Sequence, residues 1–202
     1  MRTRSTHLFA VVTSALLWSA VPAVAQTKPA EPSAAPAGKA PVNADAAALK
    51  DFTDRVAKYV SLHEEAVKTA PPQKQTTEPA EILNAQKALA AAIRAKRADA
   101  KPGDIFTPEI RAQFRRLLSP TVKGEDGQDA KAILKDDAPV NVPLKVNSDY
   151  PEGKTLPTVP AKVLLNLPTL PKTLEYRFVD KHLILRDTPA NIIVDYIPNA
   201  LP

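Results

Sequence analysis

The chain has no cysteine among its 202 residues. That removes disulfides, thiol nucleophiles, thiolate metal sites and a lipid-modified cysteine in one step. Glycine is scarce at five residues, which leaves little room for a phosphate-cradling loop or a dinucleotide fingerprint, and neither pattern occurs. Histidine appears only as His7, His63 and His182. A helical two-histidine zinc site needs its second imidazole four residues on, and the residue four after His63 is Val67. No cofactor and no metal is therefore expected. Aromatic residues make up 5% of the chain. Without aromatics interleaved among basic residues there is no platform for stacking bases, so nucleic acid is not an expected partner.

What the chain has in excess is proline, at 21 residues. Proline fixes φ and removes a backbone donor, so long helices and long ladders cannot cross these positions and the chain is segmented. The N-terminus has the three zones of an export signal. Arg2 and Arg4 give a positive start, Leu8 to Trp18 is an apolar run of 11 residues, and Ala23-Val24-Ala25 is a small-x-small cleavage pattern. Eleven helical residues span about 16 Å, roughly half of a ~30 Å hydrocarbon core, so a permanent membrane span is not expected after cleavage. Residues 1–25 read as a signal peptide cleaved after Ala25. The reading places the protein outside the cytoplasm, in a bacterial periplasm or beyond, where a chain without disulfides is held by its core alone. Removing Arg2 and Arg4 from the formal charge of +5 leaves +3, too mild to imply a polyanionic partner by itself.

Residues 26–41 contain four prolines and no large apolar residue; they cannot bury enough surface to offset ordering entropy and read as a disordered leader. From about Asp45 to Thr69 the pattern turns helical, with Leu49, Phe52, Val56, Tyr59, Val60 and Val67 on one stripe. A second helix starts near Glu78, with Thr77 as cap, Pro79 in its first turn, and Ile82, Leu89 and Ile93 as its apolar side. Thr107-Pro108-Glu109 starts a third, whose buried face is Ile110, Phe114, Leu117 and Leu118. Residues 42–120 form this helical region. Residues 121–202 follow as a proline-rich connection and a β-rich tail, forming one domain with it. Within the connection, 124–127 is a polar break, 129–135 a weak helix, Val140 to Val146 an edge strand broken by Pro143, and Thr158 to Leu167 a short capped helix.

In the tail, Leu174, Tyr176 and Phe178 alternate with Glu175 and Arg177, and Leu183 to Leu185 return after a turn at Asp180-Lys181. Residues 191–197 suit a third strand better than the rival helix that would place Ile192, Ile193, Tyr196 and Ile197 on one face. Tyr176, Phe178, Leu183, Leu185, Ile193 and Ile197 are the candidates for the covered side, over Phe52, Val56 and Phe114. The fold class is thus α+β, N-terminal amphipathic helices packed with a small C-terminal antiparallel β-meander.

Several segments together carry a resemblance: Leu174-Glu175-Tyr176-Arg177-Phe178-Val179, Leu183-Ile184-Leu185-Arg186-Asp187, Asn191 to Ile197, Tyr150-Pro151-Glu152-Gly153 and Gly103 to Glu109. They resemble a family of uncharacterised exported bacterial proteins, over about half of the chain that follows the signal. The resemblance implies export and a shared domain. That family has no assigned activity, so it implies no functional residue.

Few side chains suggest chemistry. His63-Glu64-Glu65 reads as a solvated helix face. His182 near Asp187 suggests an oriented base, yet no Gly-x-Ser-x-Gly elbow accompanies it, and His182 reads better as the start of a strand. Asp180, Asp187 and Asp195 sit at turn and strand ends, and no catalytic residue is assigned. The one charged feature above background is residues 94–116, with seven cations against three acids. Arg94, Lys96, Arg97, Arg111, Arg115 and Arg116 are the candidate interaction residues, suited to anionic lipid headgroups, envelope polymers or an acidic protein partner. The competing reading is a solvated surface with cations near helix ends. The functional expectation is an exported periplasmic or cell-envelope protein that binds or supports rather than catalyses. The alternative is an envelope hydrolase using carboxylates and His182.

Overall fold

Asn43 starts the first helix by accepting hydrogen bonds from the backbone N–H groups of Asp45 and Ala46 at 3.0 and 3.4 Å, which satisfies donors that every helix start leaves open. The helix, α1, runs Ala44–Thr69 and stops before Pro71-Pro72. The computed structural model describes residues 43–72, 76–123, 132, 142–151 and 159–201. The signal, the leader, the break at 124–127 and all but residue 132 of the helix expected over 129–135 lie outside the described residues.

On α1 the buried positions are Ala48, Phe52, Val56, Tyr59, His63 and Ala66, steps of three and four that keep one stripe inward. The expected stripe thus holds through Tyr59 and then continues through His63 and Ala66, while Val67 is exposed. The second helix, α2 (Pro79–Lys96), is capped by Glu78 without a side-chain bond. Thr77 does not cap it; Thr76 Oγ1 instead accepts from the Glu78 N–H at 3.1 Å. Only the second half of α2 is buried, through Leu89, Ala90 and Ile93, so Ile82 is exposed rather than part of the core. The third helix, α3 (Pro108–Leu118), starts as its sequence says, with Thr107 Oγ1 accepting from the Ile110 N–H, and runs into a 3-10 turn over Ser119–Val122.

Residues 142–146 form no strand. Pairing begins only after Pro143 and Val146, where residues 147–150 run beside the sheet. Asn147 N–H donates to the Ile193 carbonyl at 2.8 Å, Ile193 N–H to Ser148 at 2.9 Å and Tyr150 N–H to Asn191 at 2.8 Å, and Asp149 bridges to Ile192. The short helix α4 (Ala161–Leu165) has no side-chain cap. It buries Val163, and Leu167 behind it, but leaves Leu164 and Leu165 exposed.

Three strands close the domain: β1 (Leu174–Val179), β2 (His182–Asp187) and β3 (Ile192–Ile197), in the order β1-β2-β3 and antiparallel throughout. Residues 192–197 are therefore strand and not helix. The register shifts between Leu185 and Arg186: Leu185 pairs with Asp195 and Arg186 with Ile193, so Val194 is the extra residue of a bulge. Strand parity inverts there. Tyr176, Phe178, Leu183, Leu185 and Ile197 face the helices as expected, but Ile193 joins Val142, Tyr150, Val179 and Ile184 on the opposite face, and Ile192 and Val194 take the helix side. Among the described residues every non-glycine with positive φ is Asn or Asp: Asn147, Asp180, Asn191 and Asn199. These are the side chains that tolerate the left-handed region best, and they serve the turns of a glycine-poor chain.

One aromatic cluster ties the layers together. Phe52 of α1 stacks on Phe106 at 5.7 Å and meets the edge of Phe114 of α3 at 4.9 Å. Tyr176 of β1 lies 6.5 Å from Phe52 and 6.0 Å from Phe114. Offset and edge-on rings at these separations add to the gain from burial alone.

Candidate functional site

The most polar point of the interior is the end of β2. Asp187 is fully buried, and its Oδ2 accepts from Tyr59 Oη at 2.7 Å and faces His63 Nδ1 at 2.6 Å. Its Oδ1 accepts from the Ala190 N–H at 2.8 Å, which closes the turn into β3. A carboxylate only accepts, so the hydrogen on His63 sits on Nδ1. Burial, and after it the Asp187 charge and hydrogen bond, push the Tyr59 phenol far above the usual tyrosine range. His63 is 4% exposed and is no solvated residue. It lies on the α1 stripe between Tyr59 and Ala66, and its position there was a better guide than the polarity of its neighbours.

A second buried carboxylate, Asp195, is held by backbone. Oδ2 accepts from Ile105 N–H at 2.9 Å and Phe106 N–H at 2.8 Å, and Oδ1 from Gly103 N–H at 3.0 Å and Tyr196 N–H at 2.8 Å. Four backbone N–H groups thus give this buried side chain its hydrogen-bond partners. Gly103 makes this loop feasible: its φ is +99°, and a Cβ there would stand 2.9 Å from Arg111 Nη2.

The basic segment is scattered through this framework. Arg97 lies over the Tyr59 ring at 5.1 Å and donates to Asn147 Oδ1 at 2.9 Å and to the Val194 carbonyl. Asn147 Nδ2 returns a bond to the Arg97 carbonyl at 2.9 Å, capping the end of α2. Burial lowers the pKa of the Arg97 guanidinium, against the opposing pull of Tyr59, Asp104, Asp195 and Asp187. Arg94 donates to the Asn147 carbonyl at 2.7 Å and pairs with Asp149. Arg115 reaches the Pro198 carbonyl at 2.8 Å, Arg116 pairs with Asp45 at 2.6 Å, and Lys96 stands 3.4 Å from Glu65. Arg111 lies against Gly103. Arg94 and Arg97 thus meet around Asn147, while Arg115 and Arg116 serve other joints. No periodicity in α2 or α3 reveals these long-range partners.

His182 and Asp187 stand at opposite ends of β2, five residues or roughly 17 Å apart. His182 Nδ1 accepts from the Asn199 N–H at 3.0 Å. A cleft of about 240 Å³ borders Tyr59, between Arg55, Lys58 and Arg97, and neither His63 nor Asp187 lines it. Among the described residues no group of three or more His, Cys, Asp or Glu is placed to hold a metal ion, and no helix is long and apolar enough to cross a membrane.

The larger opening is a groove of about 650 Å³ between α4 and β1. Leu164, Leu165 and Leu170 form one wall, and Leu174 and Tyr176 the other, with Glu175 and Arg177 at the strand edge. Leu165 is 84% exposed and Leu164 43%, unusual for neighbouring leucines beside a core. Glu175 accepts from Arg177 at 2.7 Å and from Arg186 at 2.6 Å. Burial pushes the Glu175 carboxyl up, yet the bonds and charges of Arg177 and Arg186 outweigh it and hold the group below the usual glutamate range. A depressed carboxylate pKa gives stability that is present above the ordinary value and lost as pH falls through the folded one. The Arg186→Gln variant should therefore lose part of the wild type's acid-side decline in stability, in urea melts followed downward from neutral pH. Parallel profiles would show that this cluster has no role there.

Searches of family models, of curated proteins and of solved structures each found no match to the chain.

Proposed function

We propose that this chain is an exported periplasmic or cell-envelope protein that works by binding, through the groove beside β1, and not by catalysis. The observation that carries the reading is the pair of exposed leucines facing a sheet edge across an apolar groove. Contiguous exposed apolar surface rimmed by polar groups is a mark of interaction sites. The buried titratable groups favour it too. Tyr59, His63, Asp187 and Asp195 bond to one another or to backbone and tie α1 and the 103–106 loop to the sheet, whereas a working acid or base must reach a substrate. Export is supported by the signal-like residues 1–25 and by the tail's resemblance to exported bacterial proteins.

Two measurements test this. Intact mass of the exported form should place Gln26, or its cyclised form, at the N-terminus; Met1 in that fraction would refute export by cleavage. A photoreactive side chain at position 165 should cross-link in envelope preparations, and Leu164→Asp should abolish the cross-link. Equal labelling from a photoreactive residue at Lys50, on the exposed face of α1, would deny the groove any special role.

A further inference from the structure

The cleft beside Tyr59 takes its walls from three parts of the chain: Arg55, Lys58 and Leu62 of α1, Arg97 at the end of α2, and Asp104 of the 103–106 loop. Positions 55, 58 and 62 follow at steps of three and four, a shoulder along the buried stripe of α1. The cleft holds about 240 Å³, room for a head group, where a whole drug-sized ligand takes about 300–1,000 Å³. Its three cations each keep a donor that no acceptor among the described residues takes up. Arg55 donates from Nε to Asp51 at 2.9 Å and from Nη1 to the Asp104 carbonyl at 2.7 Å, which fixes the guanidinium and leaves Nη2. Arg97 turns Nη1 and Nη2 together onto the Val194 carbonyl, so its side edge of Nε and Nη2 stays open. Lys58 is exposed, and its Nζ bonds to none of the described residues. None of these nitrogens is a buried orphan, so all three groups reach solvent.

We propose that this cleft, separate from the groove, binds the phosphate group of a phosphate monoester between Arg97, Arg55 and Lys58. Two acids answer the three cations. Asp51 pairs with Arg55, and Asp104 turns its Oδ2 back to the Lys101 N–H at 2.8 Å. One positive charge is left in excess. Among the described residues no carboxylate touches Arg97, whose acceptors Asn147 and Val194 are neutral. Asp187 and Asp195 attract it from inside the fold but do not line the cleft. The open edge of Arg97 is the fork that takes two oxygens of an oxyanion side by side. A phosphate monoester has a third free oxygen for Arg55 Nη2 and Lys58 Nζ, whereas a carboxylate has none to spare. The site is also stiff before anything binds. Arg97 is seated over the Tyr59 ring and held by Asn147, and Arg55 is held by Asp51 and the loop, so little ordering is left to offset the contacts. A free ester in solution and the head group of an anionic lipid carry the same phosphate.

The test uses the mature full-length chain and two probes. One is glycerol phosphate, followed by calorimetric titration; the other is phosphatidylcholine vesicles with and without phosphatidic acid, followed by co-sedimentation. Lys58→Gln, a change at an exposed position that leaves the core intact, should weaken binding about fivefold, the upper end for an exposed ion pair. Arg55→Gln and Lys58→Gln together should abolish measurable binding. Lys50→Gln removes the same charge from the same helix away from the cleft and should bind like the wild type. Saturable binding of glycerol phosphate with inert vesicles would support the site and assign it to a soluble ester. Retention by phosphatidic acid vesicles alone, lost in the double variant, would support the site and assign it to a lipid head group. Acetate binding as tightly as glycerol phosphate would overturn the phosphate. Binding of neither probe, or an equal loss in Lys50→Gln and Lys58→Gln, would overturn the cleft.

Discussion

Replacing Asp187 with alanine should cost on the order of 3–9 kcal/mol, enough to unfold much of the chain at room temperature. Three donors lose their acceptor together: the Tyr59 hydroxyl, the His63 Nδ1 hydrogen and the Ala190 N–H. Each buried group left unsatisfied costs about 1–3 kcal/mol, against a total stability of roughly 5–15 kcal/mol for a domain. No solvent reaches the site to replace the carboxylate, since Asp187 is wholly buried and both side-chain partners nearly so. Tyr59→Phe should be far milder, about 1–2 kcal/mol, because it removes a donor and keeps the acceptor bonded to His63 and Ala190. Asp187→Asn should fall between them, since the amide nitrogen turns a donor toward one of the three hydrogens. Urea unfolding at neutral pH measures all three. An Asp187→Ala loss below 1 kcal/mol, or a Tyr59→Phe loss as large as that of Asp187→Ala, would show that the cluster is not the joint between α1 and the sheet. The two sites touch, so their costs will not add.

How far the sequence discloses this molecule depends on which interaction sets each feature. Local signals carried well. Thr107-Pro108-Glu109 starts α3 where its hydroxyl, ring and acid say it must, and the alternation at 174–178 is a half-buried strand. The stripe from Phe52 to Tyr59 is buried. Features set by distant partners were hidden. His63 looks polar beside two glutamates, and only the carboxylate of Asp187, 124 residues away, makes its burial tolerable. The arginines of residues 94–116 look like surface charge until Asn147, Val194 and Pro198 provide acceptors. A strict period of two puts Ile193 on the helix side, and the bulge at Val194 breaks that period. Asp195 spends its alternation on the same bulge, arriving on the core face beneath the 103–106 loop. Thr77 failed as a cap because α2 starts one residue later, with Glu78 at the N-cap and no side-chain cap bond, a choice of one residue that sequence patterns do not resolve. The groove was the least legible of all. The sequence reads Thr158 to Leu167 only as a short capped helix, and it is the placement of α4 that leaves Leu164 and Leu165 facing outward.

A fragment of residues 26–172 should not fold. It ends just before β1 and removes the whole sheet, which supplies Tyr176, Phe178, Leu183, Leu185, Ile192 and Val194 to the core shared with the helices. Phe52 and Phe114, now nearly inaccessible, would lose the Tyr176 ring that lies 6.5 and 6.0 Å from them. The loss extends beyond apolar contact. Without Asp187 and Asp195, Tyr59, His63 and the N–H groups of Gly103, Ile105 and Phe106 lose their acceptors. Removing a single large core side chain costs about 2–5 kcal/mol, so six of them exceed any stability of roughly 5–15 kcal/mol that the domain has. The helices alone offer little to set against this, because the first half of α2 buries nothing large, and marginal isolated helices depend on packing. The expected fragment retains some helix by far-ultraviolet dichroism, binds a hydrophobic dye, and shows no cooperative melt, the behaviour of an expanded state without fixed packing. Cooperative melting near the full-length temperature would overturn the shared core, and the sheet would then be an appendage on a helical domain that stands without it.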